Sequence, residues 1–152
     1  FARMPKPVFK DNNLIKIINE SINLSSEFDK SIQINFKKDQ KNVFFDCDKE
    51  QLSRVFFNLI KNSIESIKQK IEKQGDFTKK ISIEILSNND HIKVILEDNG
   101  IGFDQIKNDI KSIINPYFTT KKNGTGLGLS IVNKIINDHN GELFFFPITF
   151  SP

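Results

Sequence analysis

Residues 91–103 read HIKVILEDNGIGF, and their pattern decides the architecture. Ile92, Val94 and Leu96 recur at every second position, which predicts a half-buried strand, and the same period carries Asp98 onto their side. A carboxylate at the end of a core-facing row must find a donor or meet a large desolvation cost. The next four residues, Asn99-Gly100-Ile101-Gly102, let the backbone turn sharply and approach a neighbour closely. The residues alone leave two readings open. Asp98 either bonds its own backbone in an Asp-Asn-Gly turn, or it is a fixed acceptor in a pocket, suited to the amino group of an adenine ring.

Working outward, ISIEIL (81–86) alternates in the same way, and only SNND separates it from the strand at 91–98. That spacing predicts a hairpin. Earlier, SIQINFK (31–37) reads as a strand and VFFD (43–46) as a short second one, while GELFFFPITF (141–150) supplies one last strand or two. Apolar residues at helical spacing predict helices over 12–25 and 49–73, and a third that stops near His139 at Asn140-Gly141. Asp48 and Gln51 form a capping-box pair at the start of the second. Helices and strands alternate, but hairpin spacing argues against an all-parallel sheet. The expected fold is an α/β (α+β) two-layer sandwich, with a mixed, mostly antiparallel sheet covered on one face by about three helices.

Length and composition set outer limits. The 152 residues are enough for one domain with a proper core, and 38% hydrophobic with 27% charged residues is ordinary for a globular chain. The net charge of +3 comes with scattered lysines, so no nucleic-acid partner is expected. A single cysteine, Cys47, excludes an internal disulfide and a Cys-rich metal site, in keeping with a reducing compartment. No apolar run approaches the ~20 residues of a membrane helix. The opening FARMPKP reads as a linker, residues 1–11, leading from a longer protein into a domain at 12–152.

On the long helix, Asn58, Asn62 and Glu65 share a face away from the apolar arc, since i, i+4 and i+7 align. They read either as a solvated face or as a neutral set of oxygen ligands, the kind Mg²⁺ accepts alongside water and phosphate oxygens. Between the 98–102 turn and the last helix runs a loop of about twenty residues, long for a compact domain. It contains PYFTTKK and ends in KNGTGLGLSIV (122–132). Tyr117 and Phe118 are placed to fold over a ligand, and Lys121 to reach a phosphate. The glycines match neither G-x-G-x-x-G nor the P-loop. They deliver backbone N–H groups to a helix N-terminus, where phosphate is attracted; close helix packing through small residues is the other reading.

Taken in order, NLIKNSIES, EDNGIGF, PYFTTKKNGTGLGLSIV and HNGEL resemble the N, G1, F and G2 boxes of the catalytic domain of two-component sensor histidine kinases. That family shares its Bergerat-type ATP-binding fold with gyrase B, the Hsp90 chaperones and MutL. The resemblance runs over residues 12–146, and FARMPKP is similar to the exit from the phosphoacceptor helices in NtrY-like kinases. It implies that Asp98 receives the adenine amino group, with Gly100 and Gly102 shaping the pocket. Asn62 would hold Mg²⁺ on the phosphates of ATP, with Asn58 supporting the phosphate site. Phe118, Thr119, Thr120 and Lys121 would form a mobile lid, and Gly124, Thr125, Gly126, Leu127 and Gly128 its phosphate-side hinge. Where ATP-hydrolysing relatives carry a water-activating glutamate, this chain has Asn58, and an amide is no general base.

The implied activity is transfer of the γ-phosphoryl group of Mg-ATP to a histidine on separate dimerisation helices. The implied partners are those helices and, through them, a response regulator. A monomeric fragment and a cytoplasmic setting are expected. No catalytic residue is assigned, because the acceptor histidine is absent: His91 and His139 read as surface or boundary residues. Two features depart from the family pattern. Glu65-Ser66 stands where many members have Lys-Tyr, and the closing FFFPITFSP is short. Two other classes stay open: an ATPase clamp of the gyrase or MutL kind, which steady turnover would reveal, and an anti-sigma-type serine kinase or protein-binding switch, which the identity of the phosphorylated residue would reveal.

Overall fold

In the computed structural model, residues 4–102 and 128–145 are described. Strand β1 (Lys10–Asn13) runs directly into helix α1 (Leu14–Ser26), followed by β2 (Gln33–Lys38) and β3 (Phe44–Cys47). Helix α2 (Lys49–Gln74), strands β4 (Lys80–Ser87) and β5 (Ile92–Asp98), and helix α3 (Gly128–Asp138) complete the order. The fold is the expected α/β arrangement with a mixed sheet.

Strand β4 lies at the centre of a three-stranded sheet of order β2-β4-β5, parallel to β2 and antiparallel to β5. Ile81, Ile83 and Ile85 are each 0% exposed and form the middle row of the core. The register sets Ile34 and Phe36 beside Ile81 and Ile83 on one flank. On the other flank Leu96 and Val94 face Ile83 and Ile85, and Asp98 stands opposite Ile81. The helices cover this row with Leu14, Ile17 and Ile18 of α1, Val55, Ile60, Ile64 and Ile67 of α2, and Val132 and Ile135 of α3. Burying one such side chain contributes roughly 1.5–3 kcal/mol, so this layer holds the domain together.

β1 was not expected. Its sequence KDNN has little strand propensity, and backbone pairing with β3 makes it. Asn13 then caps α1: its Oδ1 accepts the N–H groups of Ile15 and Val43, both at 3.1 Å. Asp48 caps α2 by accepting Gln51 N–H at 3.0 Å. The capping box is only half made, because Gln51 Nε2 donates to the Pro5 carbonyl instead of reaching back. At the end of α3 the left-handed residue is Asn140 (φ 60°), one before the glycine, and Gly141 N–H closes the turn on the Ile136 carbonyl at 2.9 Å. Residues 141–145 carry no strand; the rest of the expected closing strand, and the short helix considered before Asn115-Pro116, fall outside the described residues.

Candidate functional site

Helix α2 supplies one wall. Its solvent stripe includes Arg54, Lys61 and Lys68, all exposed and seven residues apart. Asn58, Asn62, Glu65 and Ser66 are half-buried on the flank between that stripe and the core. They are therefore not the solvated face that periodicity alone allowed.

The second wall is the turn after β5. Asp98 ends the core-facing row, half-buried, and its Oδ1 accepts Gly100 N–H at 2.9 Å. The self-bonded Asx turn is thus real, but it occupies one carboxylate oxygen. Oδ2 accepts no hydrogen bond among the described residues, so the same side chain keeps an acceptor available for a donor group. The turn is anchored at both ends. Asn99 Oδ1 accepts Lys80 N–H at 2.9 Å, and its amide donates to the Thr78 carbonyl at 2.6 Å. On the other side Lys70 Nζ of α2 donates to the Asn99 carbonyl at 2.9 Å.

Gly100 is required by closeness. A Cβ on it would collide with Ser66 Oγ and lie 2.6 Å from the Ser66 carbonyl carbon and 2.7 Å from Ile67 N. Gly102 is a glycine for another reason: its φ of 74° is a conformation that L side chains rarely adopt. Together they bring the turn onto α2 one helical turn beyond Asn62, so the two walls meet.

The third element is α3, which packs on α2. Gly128 is its first residue, and a Cβ there would meet nothing within 4 Å among the described residues. Phe118, Thr119, Thr120, Lys121, Gly124, Thr125, Gly126 and Leu127 lie outside the described residues.

His91 is exposed in the β4–β5 turn, where its N–H is taken by Asn88 Oδ1. His139 is more than a boundary residue. Its Nε2 accepts the N–H of Asp48 at 3.0 Å, and its Nδ1 contacts the Ile135 carbonyl at 2.8 Å. Sequence reading noted Ser66 only as a departure from the Lys-Tyr pair and missed Lys70 altogether; only their fit against the turn shows what they hold.

Electrostatics beside the site follow from the same contacts. Burial works to raise the Asp48 carboxyl, but the N–H groups of Val8, Gln51 and Glu50 outweigh it and hold the group below the usual 3.8. Burial pushes the Cys47 thiol up to about 11.

With this geometry the chain can be set beside known proteins. Residues 47–149 match the model of the histidine kinase-, DNA gyrase B- and HSP90-like ATPase family. An NtrY-like sensor histidine kinase of Rickettsia conorii is 34% identical over 143 residues, which cover 94% of this chain and 22% of that protein. Sensor histidine kinase ZraS of Salmonella typhimurium is 36% identical over 134 residues, covering 86% of this chain and 27% of that one. The chain thus spans about a fifth to a quarter of these relatives' length. Among solved structures, the nucleotide-free catalytic domain of histidine kinase ThkA superposes with a TM-score of 0.72 at 30% identity, covering 86% of this chain and 81% of that one. Sequence, register and superposition agree: the chain belongs to the histidine kinase-, DNA gyrase B- and HSP90-like ATPase family, as a catalytic domain of the sensor histidine kinase type.

Proposed function

We propose that this domain binds Mg-ATP between α2, the 98–102 turn and the start of α3, and donates the γ-phosphoryl group to a histidine on separate dimerisation helices. The observation that carries the reading is Asp98: a half-buried acceptor at the end of a core row, with one oxygen fixed by Gly100 and the other accepting no hydrogen bond among the described residues. Such an arrangement suits the 6-amino group of adenine. Asn58 and Asn62, half-buried one turn apart on α2, support the phosphate side.

The donor set fits Mg²⁺ carried on phosphates. Asn62 offers a neutral amide oxygen, and Mg²⁺ ordinarily keeps several waters and takes phosphate oxygens with few protein ligands. When bound, the ion would neutralise charge on the transferring phosphoryl group. The chain's own work is positioning: Asp98 orients the base, the α2 amides orient the phosphates, and the glycines 124, 126 and 128 let backbone donors approach them. The lid residues 118–121 would close over the nucleotide.

The acceptor histidine would come from outside this domain, since His91 sits in a hairpin turn and His139 is bonded between two helix ends. ThkA has been solved in complex with the response regulator TrrA, and we infer the same class of downstream partner here. No helix among the described residues is long and apolar enough to cross a membrane; a cytoplasmic setting is part of the proposal.

Steady-state turnover tests the reading. The domain alone should hydrolyse ATP at background rate, because Asn58 cannot activate water. Sustained hydrolysis that Asn58→Ala abolishes would contradict phosphoryl donation and favour the ATPase-clamp class.

A further inference from the structure

Four consecutive N–H groups leave β5, and each finds its own acceptor. Asn99 N–H goes to the Lys80 carbonyl at 3.2 Å, and Gly100 N–H to Asp98 Oδ1 at 2.9 Å. The next two go to a single residue of α2: Ile101 N–H to the Ser66 carbonyl and Gly102 N–H to Ser66 Oγ, both at 3.2 Å. One helical turn further on, Lys70 Nζ holds the Asn99 carbonyl at 2.9 Å while lying 4.6 Å from the Phe77 ring centre. The turn that aims Asp98 is therefore fixed from α2 by two side chains.

We infer that Ser66, with Lys70, is a positioning residue for base recognition: it sets the 98–102 turn so that the Asp98 carboxylate meets the 6-amino group of a purine. This rests on the nucleotide reading above. Ser66 does not touch the phosphates; its hydroxyl holds Gly102 N–H and its carbonyl holds Ile101 N–H, which keeps the neighbouring Gly100 tight against α2, where there is no room for a side chain. Gly100 N–H in turn holds Asp98 Oδ1. Loss of the Ser66 hydroxyl leaves Gly102 N–H without its acceptor and lets the turn drift. Asp98 then discriminates less well between a base with a 6-amino group and one without.

The test is calorimetric titration of the 152-residue chain with Mg-ADP and with Mg-IDP, whose base carries a 6-oxo group instead. Wild-type protein should prefer ADP. Ser66→Ala should weaken ADP binding about fivefold, the worth of one hydrogen bond, and leave IDP binding unchanged. Ser66→Thr, which keeps the hydroxyl, should restore the preference. Lys70→Met keeps the bulk against Phe77 and should contract the preference as Ser66→Ala does, giving a second readout if one variant folds poorly. Equal losses for both nucleotides, or an intact preference in both Ser66→Ala and Lys70→Met, would overturn the positioning role alone. A wild-type protein that binds ADP and IDP equally would overturn the adenine reading, and this inference with it.

Discussion

His139 Nε2, just past the end of α3, accepts the backbone N–H of Asp48 at the start of α2, at 3.0 Å. Because its Nδ1 faces the Ile135 carbonyl at 2.8 Å, Nδ1 carries the proton and Nε2 is the acceptor. One imidazole thus joins the C-terminal end of α3 to the N-terminal end of α2, and Phe9 packs edge-on against it with ring centres 5.0 Å apart. The preceding segment is held at the same junction. Val8 N–H reaches Asp48 Oδ2 at 2.8 Å and Gln51 Nε2 reaches the Pro5 carbonyl at 3.0 Å.

Removing that imidazole strands a partly buried N–H and a ring contact. His139→Ala should lower stability by about 1–3 kcal/mol, measured by urea denaturation at neutral pH. A midpoint equal to wild type would show that the bridge carries no weight.

Asp48 should govern the acid limb. Its carboxyl is held below 3.8 when folded, so the associated stability is present above that pH and is lost as pH falls through the folded value. Asp29 adds to the same limb: the Ser31 hydroxyl, the largest influence, holds it low, and Lys79 lies 3.6 Å away. Stability should therefore fall as pH drops below about 4. Asp48→Ala should lower neutral-pH stability by about 1 kcal/mol, as a lost N-cap does, and should flatten the acid limb. An unaltered pH profile in the variant would contradict this.

Cys47 should be inert. It is 0% exposed, and its thiol is pushed from 9.0 up to about 11. A disulfide reagent should label the native protein only at the rate of unfolding, and immediately in denaturant. Between pH 9 and 11 the unfolded chain loses this proton while the folded one keeps it. Stability therefore declines as pH rises through that window, more steeply than in Cys47→Ala, by up to about 1.4 kcal/mol per pH unit.

Gly100→Ala should be severe for its size. The added methyl meets the α2 backbone at 2.6–2.7 Å, closer than atoms tolerate, so either the turn or the helix must move. A loss of about 1–3 kcal/mol is expected from overpacking, together with weaker nucleotide binding. A variant with wild-type stability and affinity would mean that the turn is free to stand away from α2.

Much of this was legible because it was local. The alternation of Ile92, Val94, Leu96 and Asp98 predicted both the strand and its inward carboxylate, and the register opposite Ile81, Ile83 and Ile85 bears it out. The second and third helices end within a residue or so of where apolar spacing and caps put them. β1 was invisible because its residues are polar and only pairing with β3 orders them. The parallel match of β2 with β4 was likewise unreadable, since the two are separated by a strand and a helix. Ser66, Lys70 and His139 act through partners 29 to 91 positions away, and no spacing rule marks such contacts. Periodicity left Asn58 and Asn62 unseparated from a solvated stripe; their half-burial sets them apart from the exposed Arg54, Lys61 and Lys68.

If Asp98 recognises the base of a bound nucleotide, affinity for Mg-ADP depends on its carboxylate. Asp98→Ala removes the acceptor but leaves the core row of β4 and β5 in place. Calorimetry should show saturable Mg-ADP binding to the wild-type domain, weakened at least tenfold in a variant that still melts cooperatively; hydrogen bonds to charged groups are worth about 1.5–3 kcal/mol. Equal affinity in a folded Asp98→Ala protein, or no Mg-ADP binding by the wild type, would contradict it.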